Sequence, residues 1–225
     1  QYFRYFDINL AEAITTSGQL SIQHIANELN TFLNKTLNTG DYDYVVASDT
    51  DSVYLRLGNL VRATAEGKTK EEIVRFLDKS CKEVIEPFIN KCYETLAAKM
   101  NAYSNKMVME REVIADVGVW TAKKRYMLNV HNSEGVQYDE PKMKIMGIET
   151  TRSSTPQVVR QKLKDAIKLV LTGTEDQVIN FVANFKEEFK GYSPDEIAFP
   201  RGCNNINNYI DEAVIYRKST PIAVK

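Results

Sequence analysis

The sequence predicts an α+β fold: an antiparallel sheet backed by two long helices, followed by a small helical portion. Three observations predict it. Apolar residues recur at helical spacing over two long stretches, about 10–38 and about 70–101. Short runs of β-formers separated by turn residues lie between and after them, and hairpin-connected strands are antiparallel. After about residue 150 the strand pattern stops and shorter helical stretches take over.

In the first helix, Asn9 followed by Glu12 resembles a capping box. Its stripe is Ile14, Ile22, Ile25, Ala26, Leu29, Phe32, Leu33 and Leu37, with Gly40 as the stop. Tyr44–Ala47 and Ser52–Leu55 then flank the turn residues Ser48-Asp49-Thr50-Asp51 as a hairpin. Residues 58–69 read as a polar loop. The second helix carries Ile73, Leu77, Cys81, Val84, Phe88, Cys92, Leu96 and Met100, and Pro87 predicts a kink in it. Strands follow at Met107–Ile114, Trp120–Val130 and Lys142–Ile148, with a turn at Asn132-Ser133-Glu134-Gly135. Two helices, about 155–172 and 174–190, are separated by Gly173. The last 35 residues read as irregular, and Arg201–Asn208 is turn-rich. The composition break predicts two parts, 1–150 and 151–225.

Composition excludes several classes. An apolar fraction of 43% and a charged fraction of 26% are ordinary for a globular chain. A disordered chain, a collagen and a disulfide miniprotein are ruled out. No apolar run reaches the ~18 residues of a membrane span. Cys81, Cys92 and Cys203 lack metal-ligand spacing, and with only His24 and His131 beside them they read as reduced thiols of a cytosolic protein. The chain starts at Gln1 with an aromatic stretch, Tyr2-Phe3-Arg4-Tyr5-Phe6, which reads as a piece of a longer protein or one half of a split one.

Taken as an average, the net charge of −1 argues against a nucleic-acid partner, but it hides an asymmetry. From Trp120 to Lys164 there are nine basic residues against four acidic ones, which leaves the rest of the chain at −6. A basic block on an acidic body is an electrostatic footprint to test against nucleic acid.

Three groups of residues could carry chemistry. The first is Asp49-Thr50-Asp51-Ser52. In an extended strand residues i and i+2 share a side, so the two carboxylates could bind hard cations. Mg²⁺ takes few protein carboxylates and keeps positions open for water and phosphate. On spacing alone, an Asx-type turn accounts for the same residues. The second is Met109-Glu110-Arg111-Glu112, either a solvated strand face or a second acidic wall beside the metal pocket. The third is Trp120-Thr121-Ala122-Lys123-Lys124-Arg125-Tyr126. Its three consecutive cations match phosphates, or defend an edge strand.

Together these motifs resemble the family B DNA polymerases. Asp49-Thr50-Asp51-Ser52-Val53-Tyr54 is similar to motif C of that family. Lys123-Lys124-Arg125-Tyr126 resembles its Lys-Lys-x-Tyr motif, and Gln1–Gly18 the segment after motif B. Met109–Ala115 and Lys142–Pro156 are further local matches, closest in kind to replicative polymerases of T-even-type bacteriophages. The resemblance covers about residues 1–190.

What the resemblance implies is specific. Residues 1–150 would be the C-terminal part of the palm, and 151–225 the thumb or part of it. Asp51 would be the essential metal-binding carboxylate, with Asp49 its partner and Glu112 a further ligand on the acidic strand of Glu110 and Glu112. Thr50 and Ser52 would lie near the primer terminus. Lys123, Lys124, Arg125, Tyr126, Lys144 and Arg152 would bind DNA. The implied reaction is nucleotidyl transfer with two Mg²⁺ ions, and the implied partners are primer-template DNA, dNTP, the N-terminal polymerase part and a sliding clamp. The implied place is the cytoplasm of an infected bacterium.

Two features depart from the pattern. Ala47-Ser48 replaces the usual Tyr-Gly, and the segment between Ala115 and Trp120 is shorter. Motif A, motif B and the exonuclease motifs are not found in the sequence, so the chain alone is expected to be inactive. A non-catalytic DNA-binding or interaction module, and a different Mg²⁺-dependent phosphoryl-transfer enzyme, are the alternative classes.

Overall fold

A computed structural model describes residue 4 and residues 6–200, and combines helices with strands in two antiparallel sheets. Most of the aromatic start, the Arg201–Asn208 turn and Cys203 lie outside the described residues.

Helix α1 spans Ile8–Leu37. Its cap is Asp7 rather than Asn9: Asp7 Oδ1 accepts the Asn9 N–H at 2.8 Å. It ends at Asn38 in the left-handed region (φ 52°), two residues before Gly40, because asparagine tolerates that conformation. Only its second half is buried, through Ile25, Leu29 and Leu33, whereas Ile14 is 67% exposed.

Strands β1 (Val45–Asp49) and β2 (Ser52–Leu55) form an antiparallel hairpin, with Asp49 opposite Ser52 and Ser48 opposite Val53. The turn is Thr50–Asp51, so Ser48 and Asp49 belong to the strand. Helix α1 fixes where the hairpin begins. Asn30 Oδ1 accepts the N–H groups of Tyr44 (2.8 Å) and Val45 (3.1 Å). The Asn34 amide brackets Tyr42, accepting its N–H and donating to its carbonyl, both at 2.8 Å. The Tyr44 side chain is fully buried.

A short helix α2, Gly58–Thr64, replaces the expected loop. Leu57 before it packs on the core and Ala65 after it is buried, so packing overrides weak local preference. The second long helix is three pieces: α3 (Lys70–Ser80), a π-turn (Cys81–Ile85) and α4 (Glu86–Lys99). Thr69 and Glu72 close a capping box at its start. Pro87 has no N–H, and its ring would crowd the carbonyl four residues back. The turn before it widens instead, with the Glu86 N–H bonded to the Cys81 carbonyl. That extra residue advances the buried face by one. Ile85, Ile89, Cys92 and Tyr93 are buried, while Val84 (50%) and Met100 (59%) from the expected stripe are exposed. Ile25 and Leu29 complete this core, and Phe32 stacks on Phe88 at 4.2 Å.

Strands β3 (Val113–Ala122), β4 (Arg125–Ser133) and β5 (Val136–Met146) form a separate sheet in the order β3-β4-β5. The single sheet expected is therefore two. Met107–Glu112 is not a strand. The stretch read as one strand, Trp120–Val130, is broken by a turn at Lys123–Lys124, where Lys124 has φ 61°. Glu134 and Gly135 both have positive φ, as a two-residue type I′ hairpin requires.

Helices α5 (Gln157–Thr172) and α6 (Glu175–Phe189) follow on either side of Gly173, as expected. A 3₁₀ turn, Glu149–Thr151, follows β5, and a four-residue helix α7, Pro194–Ile197, lies within the last 35 residues, which read as irregular in the sequence. Met127, Ile167 and Leu171 form a second core, with Val117, Val119, Ile145 and Ile148 against it.

The chain packs as two units. The first holds the described residues up to Asp116 together with Val130–Lys142, and the second holds Val117–Asn129 and the described residues from Met143 to residue 200. Among the described residues no helix is long and apolar enough to cross a membrane.

Candidate functional site

The acidic hairpin belongs to the first unit. Its apolar residues Val45, Val53 and Leu55 pack against the core of α1 and α4, which seats the strands and leaves the tip outward. Alternation along β1 follows from this: Val45, Ala47 and Asp49 are half-buried, Val46 and Ser48 exposed. Asp49 is the hub of the turn. Its carbonyl accepts the Asp51 N–H at 2.6 Å and the Ser52 hydroxyl at 3.1 Å, and its Oδ1 accepts the Thr50 hydroxyl at 3.0 Å. Thr50 sits at φ 52°, an outlier for a β-branched residue. The positive φ thus falls on Thr50, not on Ser48 where glycine is usual. Asp51 is in the turn and exposed, so the two carboxylates are not i, i+2 neighbours on one strand face.

Mg²⁺ uses one or two protein carboxylates and completes its shell with water and phosphate oxygens. Asp49 and Asp51 on an outward tip fit that small donor set. Among the described residues no group of three or more His, Cys, Asp or Glu side chains could hold an ion. Glu112 is therefore not gathered with Asp49 and Asp51 into one ligand set.

Glu110 and Glu112 lie on the non-strand segment ahead of β3. The reason is that its backbone bonds elsewhere: the Arg111 N–H donates to Glu86 Oε1 at 2.9 Å, and the Glu112 carbonyl accepts the Glu134 N–H at 2.7 Å. The Arg111 side chain pairs with Asp78 and is only 11% exposed. These residues, with Lys82, line an open cleft of about 540 Å³. Met109, just ahead, packs on the same core as Val53. Cys81 packs there too, and burial pushes its thiol up to about 11 against the opposing pull of Arg111.

The basic turn belongs to the second unit and is described by itself. Lys123 and Lys124 are exposed at the tip joining β3 to β4, not along an edge strand. Arg125 Nη2 donates to Glu149 Oε1 at 3.2 Å. Tyr126 is buried, with its ring 6.3 Å from that of Trp120. Lys144 is half-buried on β5, and Arg152 is exposed at the end of the 3₁₀ turn. Lys162 of α5 pairs with Glu188 of α6 at 2.7 Å, a bond that holds the ammonium above its ordinary pKa. Arg125 and Lys162 of the basic block are thus matched by carboxylates of their own unit.

Asn30 and Asn34 are the positioning residues that pattern reading passed over. Their signal was two amides four apart on the face beside Leu29 and Leu33, where apolar residues were due.

A family model of divergent family B DNA polymerases matches residues 35–184. The DNA-directed DNA polymerase of Enterobacteria phage T4 is 38% identical over 221 residues, covering 94% of this chain and 25% of that protein. The DNA-directed DNA polymerase of Escherichia phage RB69 is 38% identical over 218 residues, covering 92% of this chain and 24% of that protein. The chain spans about a quarter of the length of these curated relatives.

Proposed function

The chain belongs to the family B DNA polymerases, and from that premise we propose that it supplies the C-terminal palm and thumb portion of a template-directed DNA polymerase. Residues 1–150 are the palm portion in this reading, and 151–225 the thumb or part of it. One observation carries it. The motif Asp49-Thr50-Asp51-Ser52 sits at the outward tip of a two-stranded hairpin, inside the region the family model matches.

Asp51 and Asp49 would hold Mg²⁺ together with carboxylates from the rest of the polymerase. When bound, that ion supplies charge neutralisation at phosphate and a lowered pKa for a coordinated hydroxyl. Asp49 orients the turn through its bonds to Thr50, Asp51 and Ser52. Lys123 and Lys124 hold the primer backbone as point charges, with Lys144 and Arg152 as the surrounding DNA surface, while the buried Tyr126 and the Glu149-paired Arg125 support the turn from within their own unit. Glu110 and Glu112 form an acidic wall near the hairpin rather than part of the donor set.

The partners in this reading are primer-template DNA, dNTP and the polymerase part that carries motif A. Exposed apolar residues on the first half of α1, Ile8, Leu10 and Ile14, fit a surface that a further part of the polymerase covers. The relatives are phage enzymes, so the place of action is the infected bacterial cell. Primer extension tests the reading. The purified chain with Mg²⁺, dNTP and primed template should incorporate nothing above background, and incorporation would overturn the incomplete-site reading.

A further inference from the structure

Lys123 and Lys124 occupy a tight turn with no glycine or asparagine, and Lys124 has φ 61°. Local preference does not favour that conformation for lysine. Something in the second unit must hold it, and two residues of one short segment reach it.

The first is Gly147, between β5 and the 3₁₀ turn. Its φ is +67°, and a Cβ added there would lie 2.1 Å from the Lys124 carbonyl oxygen and 3.1 Å from its carbonyl carbon. The Arg125 Cγ would be 3.2 Å away. The obstruction is backbone, which cannot swing aside as a side-chain end can. Only a residue without a Cβ lets the Lys124 carbonyl approach this closely. The second is Glu149, whose carboxylate accepts from Arg125, the residue that ends the turn, at 3.2 Å.

We propose that the Gly147–Glu149 segment is a positioning element for the primer grip: Gly147 seats the Lys123–Lys124 turn through its backbone, and Glu149 seats it through Arg125. This rests on the proposed role of the two lysines. A glycine chosen only to end a strand would not need the lysine carbonyl against it. A glutamate beside a DNA surface would, by charge alone, weaken DNA binding, so its removal would tighten binding. Positioning predicts the opposite sign.

The test uses the complete polymerase that carries this chain. Primer-template affinity is measured over a range of salt, together with the single-turnover rate at saturating DNA and the melting temperature. Gly147→Ala should weaken DNA binding about tenfold and lower the salt slope by about one to two, since each lost phosphate contact removes about 0.9. The saturating rate should stay within about threefold, because the reacting groups are untouched. Gly147→Asn tolerates the positive φ but carries a Cβ, so it should be as weak as alanine. Adding Gly147→Ala to Lys123→Ala/Lys124→Ala should change affinity by less than about twofold. Glu149→Ala, at an exposed pair, should weaken binding about twofold to fivefold without unfolding.

Unchanged or tighter binding by Glu149→Ala overturns the proposal, even where Gly147→Ala fails to fold. Glycine-like binding by Gly147→Asn overturns it too. If Lys123→Ala/Lys124→Ala leaves affinity unchanged, the primer-grip reading fails instead, which separates the two claims.

Discussion

The Thr50–Asp51 turn and the Lys123–Lys124 turn each join two strands through two residues, and each puts a non-glycine residue at positive φ, 52° at Thr50 and 61° at Lys124. They are held differently. The acidic hairpin is seated from its base, by Val45, Val53 and Leu55 on the helical core and by Asn30 and Asn34 on its first backbone groups. Its tip is shaped by its own hydrogen bonds around Asp49. The basic hairpin is held at the tip itself, by the close approach of Gly147. The difference fits the proposed tasks. Metal-binding carboxylates need an open tip into which substrate phosphates enter, whereas a backbone grip needs its cations fixed relative to one another.

The largest effect expected falls on the acidic tip. Asp51→Ala in the complete polymerase should lower the rate of synthesis by about 10³-fold, roughly 4 kcal/mol of barrier, as loss of a metal-binding carboxylate implies. A rapid-quench assay reads it, and a near-normal rate would favour a non-catalytic role for the hairpin. Next is the base of that hairpin. Ile89→Ala opens a cavity in the core beneath it and should cost about 2–5 kcal/mol in denaturant unfolding. The same unfolding curve for a change in the basic tip, such as Lys123→Ala, should barely move.

The pH dependence sharpens the contrast, because Cys81 packs on the first core. Burial raises its pKa from 9.0 to about 11. The folded chain keeps this proton where the unfolded chain releases it. Stability from this group is present below pH 9 and is lost as pH climbs through 11, by roughly 2–3 kcal/mol. Denaturant midpoints taken across that range should fall more steeply for the native chain than for Cys81→Ala. A parallel pair of curves would refute the burial effect.

Asn30→Ala leaves the Tyr44 and Val45 N–H groups without their acceptor, at a cost of about 1–3 kcal/mol. Hydrogen exchange should show those two amides losing protection first. The smallest effect is Lys124→Ala, which should weaken primer binding modestly and lower the salt slope by about 0.9.

The acidic hairpin, the turn at Glu134–Gly135, the helices α5 and α6, and the family were legible in the sequence, because turn residues and periodicity are local signals. The π-turn was not. Pro87 announced a disturbance, but whether a helix kinks or widens depends on what the next turns must bury, and here Ile85 and Ile89 replace Val84 in the core. The segment 107–112 has the alternation of a strand, yet Glu86 and Glu134 supply its backbone partners, and those are distant in sequence. The break at Lys123–Lys124 had no glycine or asparagine to mark it. Its cause lies some twenty residues on, in Gly147. The candidate residues could therefore be picked out by residue type, while the way each tip is held required the fold.

The most direct test is a single-turnover titration of primer-template against the complete polymerase, comparing Asp51→Ala with Lys124→Ala. The predicted result is a split. Asp51→Ala loses the saturating rate and keeps its DNA affinity within about threefold, and Lys124→Ala loses affinity and keeps the rate. A rate that survives Asp51→Ala, or a Lys124→Ala enzyme with unaltered affinity and a collapsed rate, would contradict the division of labour between the two hairpins.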